Sequence, residues 1–510
     1  MKKAGIRTLC LALSIATIAP LAGCKQAAKT SGSSSSGPVT IHIMNRVNAQ
    51  VSFDNNDWLK AVEKEANVKL VIDAPPINNY VDRLQIVMAS GDVPDIVYNW
   101  GSGDANYQKW ASDGLLADIT SKVKSYSNLQ KNISPEMWNA VRTSDGKLYS
   151  VPKTNIEGYY GTLINQTWLD KLGLKAPTTV EEFEKVCTAF ATQDPDGDGK
   201  ADTYGFSTDS FANNGGGMIP FLQSAYNLAG NGGKDVDGKY KVIQKFDGYL
   251  PYLTELRKLY SEKVFDPEFF TNKTYGDRDK LLESKIGMIS GNQTCPFNLL
   301  SSMPTADQTF RYYAPLKNDK GVASCYIGVP IWGTWMISKS CKNIGAVLKF
   351  LDWGNSKDGF ILMNLGVKGV DYNSYDFNNR LIDITPDQSK KLTTESSSYT
   401  SIAYALDGQV ATPEGCDTAA RVKAHNDAFD TVKKSIKEVD LAPVTAMNCP
   451  KLSNFSTTNP DDTKTYSSNT VKYIIGEMTL DQYKSYLNNT YFPKIADAEK
   501  EYVNYMNGLK

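Results

Sequence analysis

Histidine is nearly missing: His42 and His425 are the only two in 510 residues. A His-ligated zinc site or a Ser-His-Asp triad would have to use one of them, and no motif surrounds either. His42 sits in an alternating run and His425 in a polar helical stretch, so both read as structural. Excess charge of one sign is absent too. The 55 basic and 56 acidic residues leave a net charge of −1, with no basic run beyond the first residues, which argues against nucleic-acid partners. No Cys-x-x-C pair marks a zinc or redox site, and no apolar stretch is long enough to span a bilayer. Aromatics, in contrast, are plentiful, with 28 Tyr and 8 Trp. Such residues suit surfaces that bind polyhydroxylated ligands, because a ring packs on the C–H face of a sugar.

The N-terminus reads as an address. Lys2, Lys3 and Arg7 precede the apolar stretch Thr8 to Ala19, and Pro20 breaks it ahead of Leu21-Ala22-Gly23-Cys24. That order is the signature of an export signal over residues 1–23, and its last four residues match the bacterial lipobox. Cys24 is the expected lipidation site, since two buried acyl chains at about 0.8 kcal/mol per CH₂ anchor stably. The Ser/Gly run Thr30 to Gly37 makes residues 24–38 a flexible tether. The expected location is the outer face of a Gram-positive-type cell membrane, with contact through the lipid alone. Cys10 goes with the signal. Cys187, Cys295, Cys325, Cys341, Cys416 and Cys449 remain, and their irregular spacing leaves disulfides and buried thiols equally open.

About 490 residues beyond the signal exceed what one core normally supports, so two lobes or more are expected. Val39 to Met44 alternates as a strand. Trp58 to Ala66 has helical spacing, and Val68 to Ile72 is a second strand. Val81, Leu84 and Met88 mark a second helical face before the strand Asp95 to Tyr98. This order predicts a parallel α/β sheet, whose ligands meet loops at the carboxyl ends of strands. Asn45, Arg46, Asn48, Asn99 and Trp100 are therefore candidate ligand-binding residues, with solvated loop tips as the plainer alternative. Thr179 and Glu182 predict a capping box. The helix it opens should bury Val180, Phe183, Val186, Cys187 and Phe190.

Several segments, in order, resemble the extracellular solute-binding proteins of ABC importers, specifically the sugar-binding lipoprotein group called family 1. They are Ala89 to Ile96, Asp145 to Pro152, Asn165 to Gly173, Pro177-Thr178-Thr179, Asp194 to Gly205, and Gly366 to Tyr372. Ile474 to Leu480 also fits. The resemblance implies a two-lobed, type II periplasmic-binding-protein-like α/β fold, with ligand held in a hinged cleft. Residues 39–150 with about 312–372 would form the N-terminal lobe, and 151–311 with about 373–510 the C-terminal lobe. Val151-Pro152 would lie near the first crossover, and the chain would return near Ala314-Pro315. Gly328 to Met336 would be an inter-lobe or cleft-edge strand. Trp332, Trp335, Trp100, Tyr159 and Tyr160 become sugar-stacking candidates, whereas Trp168 and Trp353 belong to cores.

Asp194, Asp196, Asp198, Gly199, Lys200 and Asp202 occupy positions 1, 3, 5, 6, 7 and 9 of an EF-hand-type loop. Calcium in a structural role is expected there. Gly205 stands at position 12, where a bidentate Glu belongs. The leading functional reading is a non-enzymatic receptor, expected as a monomer, that hands a carbohydrate to a permease. The alternatives are an extracellular glycoside hydrolase or lyase, for which no carboxylate pair stands out, and a binder of peptides or other small ligands feeding a sensor.

Overall fold

The alternation after Val39 folds as three parallel strands with helices between them: β1 (Val39–Met44), a helix Asp57–Ala66, β2 (Val68–Asp73), a helix Tyr80–Ser90, and β3 (Ile96–Asn99). The first helix starts where the Asn56 side chain accepts the Leu59 N–H and stops at Asn67, left-handed at φ 53°. It buries Trp58 and Val62, the residues one turn apart. β4 (Ser150–Thr154) is followed by β5 (Tyr160–Asn165), β6 (Tyr204–Ser207), the hairpin of β7 (Gly232–Lys234) and β8 (Tyr240–Val242), β9 (Ile286–Asn292), β10 (Phe310–Tyr313) and β11 (Ala323–Tyr326). Next come β12 (Ile331–Ile337), the hairpins β13 (Ser374–Asp376) with β14 (Leu381–Asp383) and β15 (Ala405–Leu406) with β16 (Gln409–Val410), and β17 (Ile436–Val439). Two larger sheets result, ordered β2-β1-β3-β12-β4 and β10-β5-β9-β6.

This computed structural model divides the chain into a leading segment, Met1–Pro38, and a folded unit, Val39–Lys510. It describes residues 37–47, 51–100, 105–143, 145–156, 160–209, 219–228, 230, 232–273, 276–292, 310–326, 329–396, 400–411, 426–427, 430–439 and 449–508. The expected signal, Cys24, Asn48, Tyr159, Cys295, Cys416 and His425 lie outside these residues.

Each sheet has its own core. Ile41, Ile43, Val97, Val151, Trp335 and Met336 pack with the helices of the first sheet. In the second, Ile164 and Met288 face Phe183, Phe190 and Leu256, while Leu163 and Ile289 face Leu281 and Val432 on the other side. Coverage on both faces explains why β5 is buried from Gly161 to Asn165 rather than alternating. The late helices Pro460–Ile474, Leu480–Tyr486 and Phe492–Gly508 pack on the second core. Cys187, Cys341 and Cys449 are buried free thiols, and Cys325 accepts the Tyr160 N–H at 3.1 Å.

The structure corrects three expectations. The chain does not return to the first lobe near Ala314-Pro315: β10 edges the second sheet, the Leu316 N–H bonds Phe221 O, and among the described residues it is β12 that re-enters the first. Neither do residues 373–396 and 400–411 join the second lobe. The helix Pro386–Glu395 lies beside the first helix, where the Ser52 N–H bonds Thr394 O at 2.9 Å, and Ile402 belongs to the first core. The third concerns the helix Val180–Thr192. Thr179 does cap it, but the Glu182 carboxylate reaches back to the N–H and hydroxyl of Thr178, one residue earlier than a capping box requires.

Candidate functional site

The carboxyl ends of β1 and β3 meet the start of β12, and four aromatic rings gather there around two basic side chains. The Arg46 guanidinium carbon lies 3.2 Å from the Trp100 ring centroid, 5.1 Å from Tyr98 and 5.8 Å from Trp332. Lys153, on β4, holds its ammonium 5.3 Å from Trp332 and 5.6 Å from both Tyr98 and Trp335. Burial first, and the Arg46 charge second, hold the Lys153 pKa well below its ordinary value. The Tyr98 hydroxyl donates to Trp332 O, and Trp332 packs on Tyr404 at 4.4 Å between centroids. Apolar faces beside fixed polar groups are what a site for a polyhydroxylated molecule requires.

The predicted residues do not share one environment. Trp100 is 47% exposed and Tyr160 39%, and Trp332 is half-buried. Asn45, Arg46 and Asn99 are buried, so none of these three is a solvated loop tip. The Asn45 side chain accepts the Arg46 N–H at 2.8 Å, while its own N–H bonds Asp73 O. Trp335 is a correction. It is fully buried in the first core, edge-on to Tyr98 at 5.3 Å, with its indole N–H bonded to Ile402 O, and so cannot stack on a ligand. A register shift in β12 between Ile331 and Thr334 separates the two tryptophans. Gly333 permits it at φ 136°, where a Cβ would lie 2.4 Å from the Tyr98 hydroxyl.

Lys153, Tyr98 and Tyr404 were not singled out in the sequence. Lys153 and Tyr98 sit on strands where alternation alone leaves their face open. Tyr404 arrives through a hydrogen bond from its N–H to Thr154 O, across a sequence separation that leaves no local signal.

The acidic loop lies in the second lobe, between the helix Val180–Thr192 and β6. Asp194, Asp196 and Asp198 bring carboxylate oxygens within 4.8 Å of one another, and exposed Asp202 stands outside that cluster. Asp194 is left-handed at φ 48°, and its carboxylate accepts the N–H groups of Gly197 and Gly199 at 3.0 and 3.2 Å. Lys171 ties the loop from outside, its ammonium donating to Asp194 O and Pro195 O at 2.9 and 3.1 Å. Burial and the hydrogen bond with Asp194 raise the Asp196 pKa, whereas the Lys200 ammonium, 2.7 Å away, lowers that of Asp198. Gly205 could not carry a ligand side chain, because a Cβ would lie 2.6 Å from Cys187 Cα.

The Gly366 to Tyr372 segment is a structural staple. Asp371 is fully buried, accepts the Val367 N–H at 2.7 Å and pairs with Lys391 at 2.9 Å. Gly366, at φ 80°, leaves room for that carboxylate.

A family profile described as bacterial extracellular solute-binding protein matches residues 52–359. Lipoprotein LipO of Bacillus subtilis is 29% identical over 362 residues, covering 69% of this chain and 71% of LipO. The polygalacturonan/rhamnogalacturonan-binding protein YtcQ of Bacillus subtilis is 26% identical over 380 residues, 72% of this chain and 74% of YtcQ. The solved structure of the Streptococcus pneumoniae ABC-transporter substrate-binding protein FusA with kestose has a TM-score of 0.70 at 20% identity, across 92% of this chain and 100% of that one. FusA has also been solved as an EF-hand mutant with fructo-nystose. The two-sheet, two-core architecture is thus the two-lobed fold of solute-binding proteins. The profile spans more than half of the chain, which therefore belongs to the bacterial extracellular solute-binding protein family.

Proposed function

We propose that this protein captures a carbohydrate, an oligosaccharide, outside the cell and delivers it to an ABC importer without chemically altering it. The observation that carries this reading is the pair of open and half-buried indoles, Trp100 and Trp332, at the carboxyl ends of the first sheet beside buried Arg46 and Lys153. Asn45 and Asn99 would add amide groups at the ends of β1 and β3, and Tyr160 one more ring at the start of β5; Asn48 and Tyr159 complete the candidate set. Relatives named for polygalacturonan or fructooligosaccharide binding support the ligand class. Ligand touching both lobes would favour the closed form, which a permease recognises by its shape. Titration calorimetry with kestose, oligogalacturonates and a peptide panel tests this. Saturable sugar binding without new reducing ends is expected, whereas binding of peptides alone would overturn it.

Lipidation at Cys24 and the Ser/Gly tether would keep a monomeric receptor beside its permease, at the outer face of the membrane. Cys24→Ala should release folded, ligand-binding protein into the medium and weaken uptake.

The acidic loop fits a calcium ion in part. Asp194, Asp196 and Asp198 supply clustered carboxylates and Lys200 a backbone carbonyl, while Gly205 leaves the last position to water or another segment. The ion would neutralise mutually repelling carboxylates and pin the loop. The charges of Asp198 and Asp194 add to the burial and hydrogen bonding that raise the Asp196 pKa.

A further inference from the structure

We infer that Arg46 is the positioning residue of the binding site: its guanidinium fixes the Trp100 ring by stacking and, through Tyr98, ties that ring to the backbone of Trp332. This rests on the reading of Trp100 as a ligand platform. Arg46 is fully buried while Trp100 is 47% exposed, and the guanidinium lies 3.2 Å from the ring centroid. That separation is a face-on stack, so the guanidinium covers one face of the indole and the exposure belongs to the rest of the ring. A planar cation on a ring face constrains tilt as well as distance, which a point charge on a flexible stem does not.

The same side chain reaches the second ring. Arg46 Nη2 donates to the Tyr98 hydroxyl at 3.5 Å, and that hydroxyl donates to Trp332 O. One guanidinium therefore links the end of β1 to Trp100 by stacking, and to the start of β12 through Tyr98. Its own segment is pinned on both sides. The Arg46 N–H bonds the Asn45 side chain, the Val47 N–H bonds Pro75 O at 3.3 Å, and Val47 O accepts the Ile77 N–H at 3.0 Å. A side chain buried on so fixed a backbone can hold the Trp100 ring in one place relative to the start of β12, and a preorganised ring is what stacking on a sugar requires.

A double-mutant cycle tests this. Wild type, Arg46→Lys, Trp100→Phe and the double variant are titrated with kestose and with trigalacturonate, and circular dichroism checks folding. Arg46→Lys is expected to weaken binding about tenfold and to add less than about threefold on a Trp100→Phe background, the mark of residues acting as one unit. Multiplying losses would overturn the inference. If Trp100→Phe weakens binding and Arg46→Lys does not, only this inference fails; if Trp100→Phe changes nothing, the platform reading fails first. Arg46→Gln keeps a planar end without charge and serves where the lysine variant does not fold. A ligand-free readout is acrylamide quenching of the Trp100 emission, isolated by difference from Trp100→Phe. Quenching should rise in Arg46→Lys as the covered face opens; unchanged quenching would overturn the stack.

Discussion

Both lobes bury aromatic side chains in their cores, but the first also leaves indoles open at its strand ends. In the second, Tyr249, Tyr466, Tyr473 and Tyr483 are buried; Tyr466 stacks on Tyr491 at 4.2 Å and Tyr473 on Tyr483 at 5.0 Å. The hydroxyls of Tyr249 and Tyr466 bond each other, that of Tyr483 pairs with Thr470, and that of Tyr473 pairs with Thr254, which fastens the late helices to the helix Tyr249–Ser261. In the first lobe Trp100 stays open at a strand end, and Trp332 half-open at the start of β12. An abundance of tyrosine thus describes a core as readily as a binding surface, and the position of a ring relative to the strand ends decides which it is.

That contrast can be broken experimentally. The largest effect is expected from Trp335→Ala, which empties a fully buried site and should cost about 3–5 kcal/mol by denaturant unfolding. Loss of sugar affinity at unchanged stability would mean that Trp335 belongs to the site instead. Next, Trp100→Ala should lower affinity by about 30-fold or more, as a central aromatic anchor does, while leaving the melting temperature nearly unchanged.

Calcium should act on the second lobe alone. A hundredfold excess over the dissociation constant adds about 2.7 kcal/mol, read as a rise in melting temperature, and Asp196→Asn should abolish it. An unmoved transition at millimolar calcium would remove the ion from the loop. The smallest effect concerns Glu255, on the helix Tyr249–Ser261. Burial, and then its hydrogen bond to Glu184 and that residue's charge, push its pKa up to about 7. Because the folded value lies above the ordinary 4.5, this group's stabilisation is complete below pH 4.5 and is lost as pH rises through 7. Glu255→Gln should flatten that decline and melt higher than wild type at pH 8; parallel pH profiles would exclude the assignment.

Where the signals are local, much of the fold was legible. Val62 and Trp58 fall on one helical face, β1 to β3 follow the predicted order, and Asp194, Asp196 and Asp198 converge as loop spacing implies. The site was legible only as strand ends. Trp332 and Trp335 look equivalent in Gly328 to Met336, yet a register shift at Gly333 puts one beside the site and the other in the core. Nothing near Lys153 signals that it shares aromatic rings with Arg46.

The sequence by itself determined the order of the first strands and helices, the acidic loop, the Thr179 cap and the motifs that carry family membership, because each depends on residues a few positions apart. Only the tertiary structure decided that Arg46 is buried beneath Trp100, that Tyr404 joins Trp332, and that the helix Pro386–Glu395 and Ile402 rest on the first lobe. These depend on where the chain crosses between sheets, and each crossing is stabilised by packing and hydrogen bonds between segments far apart in sequence.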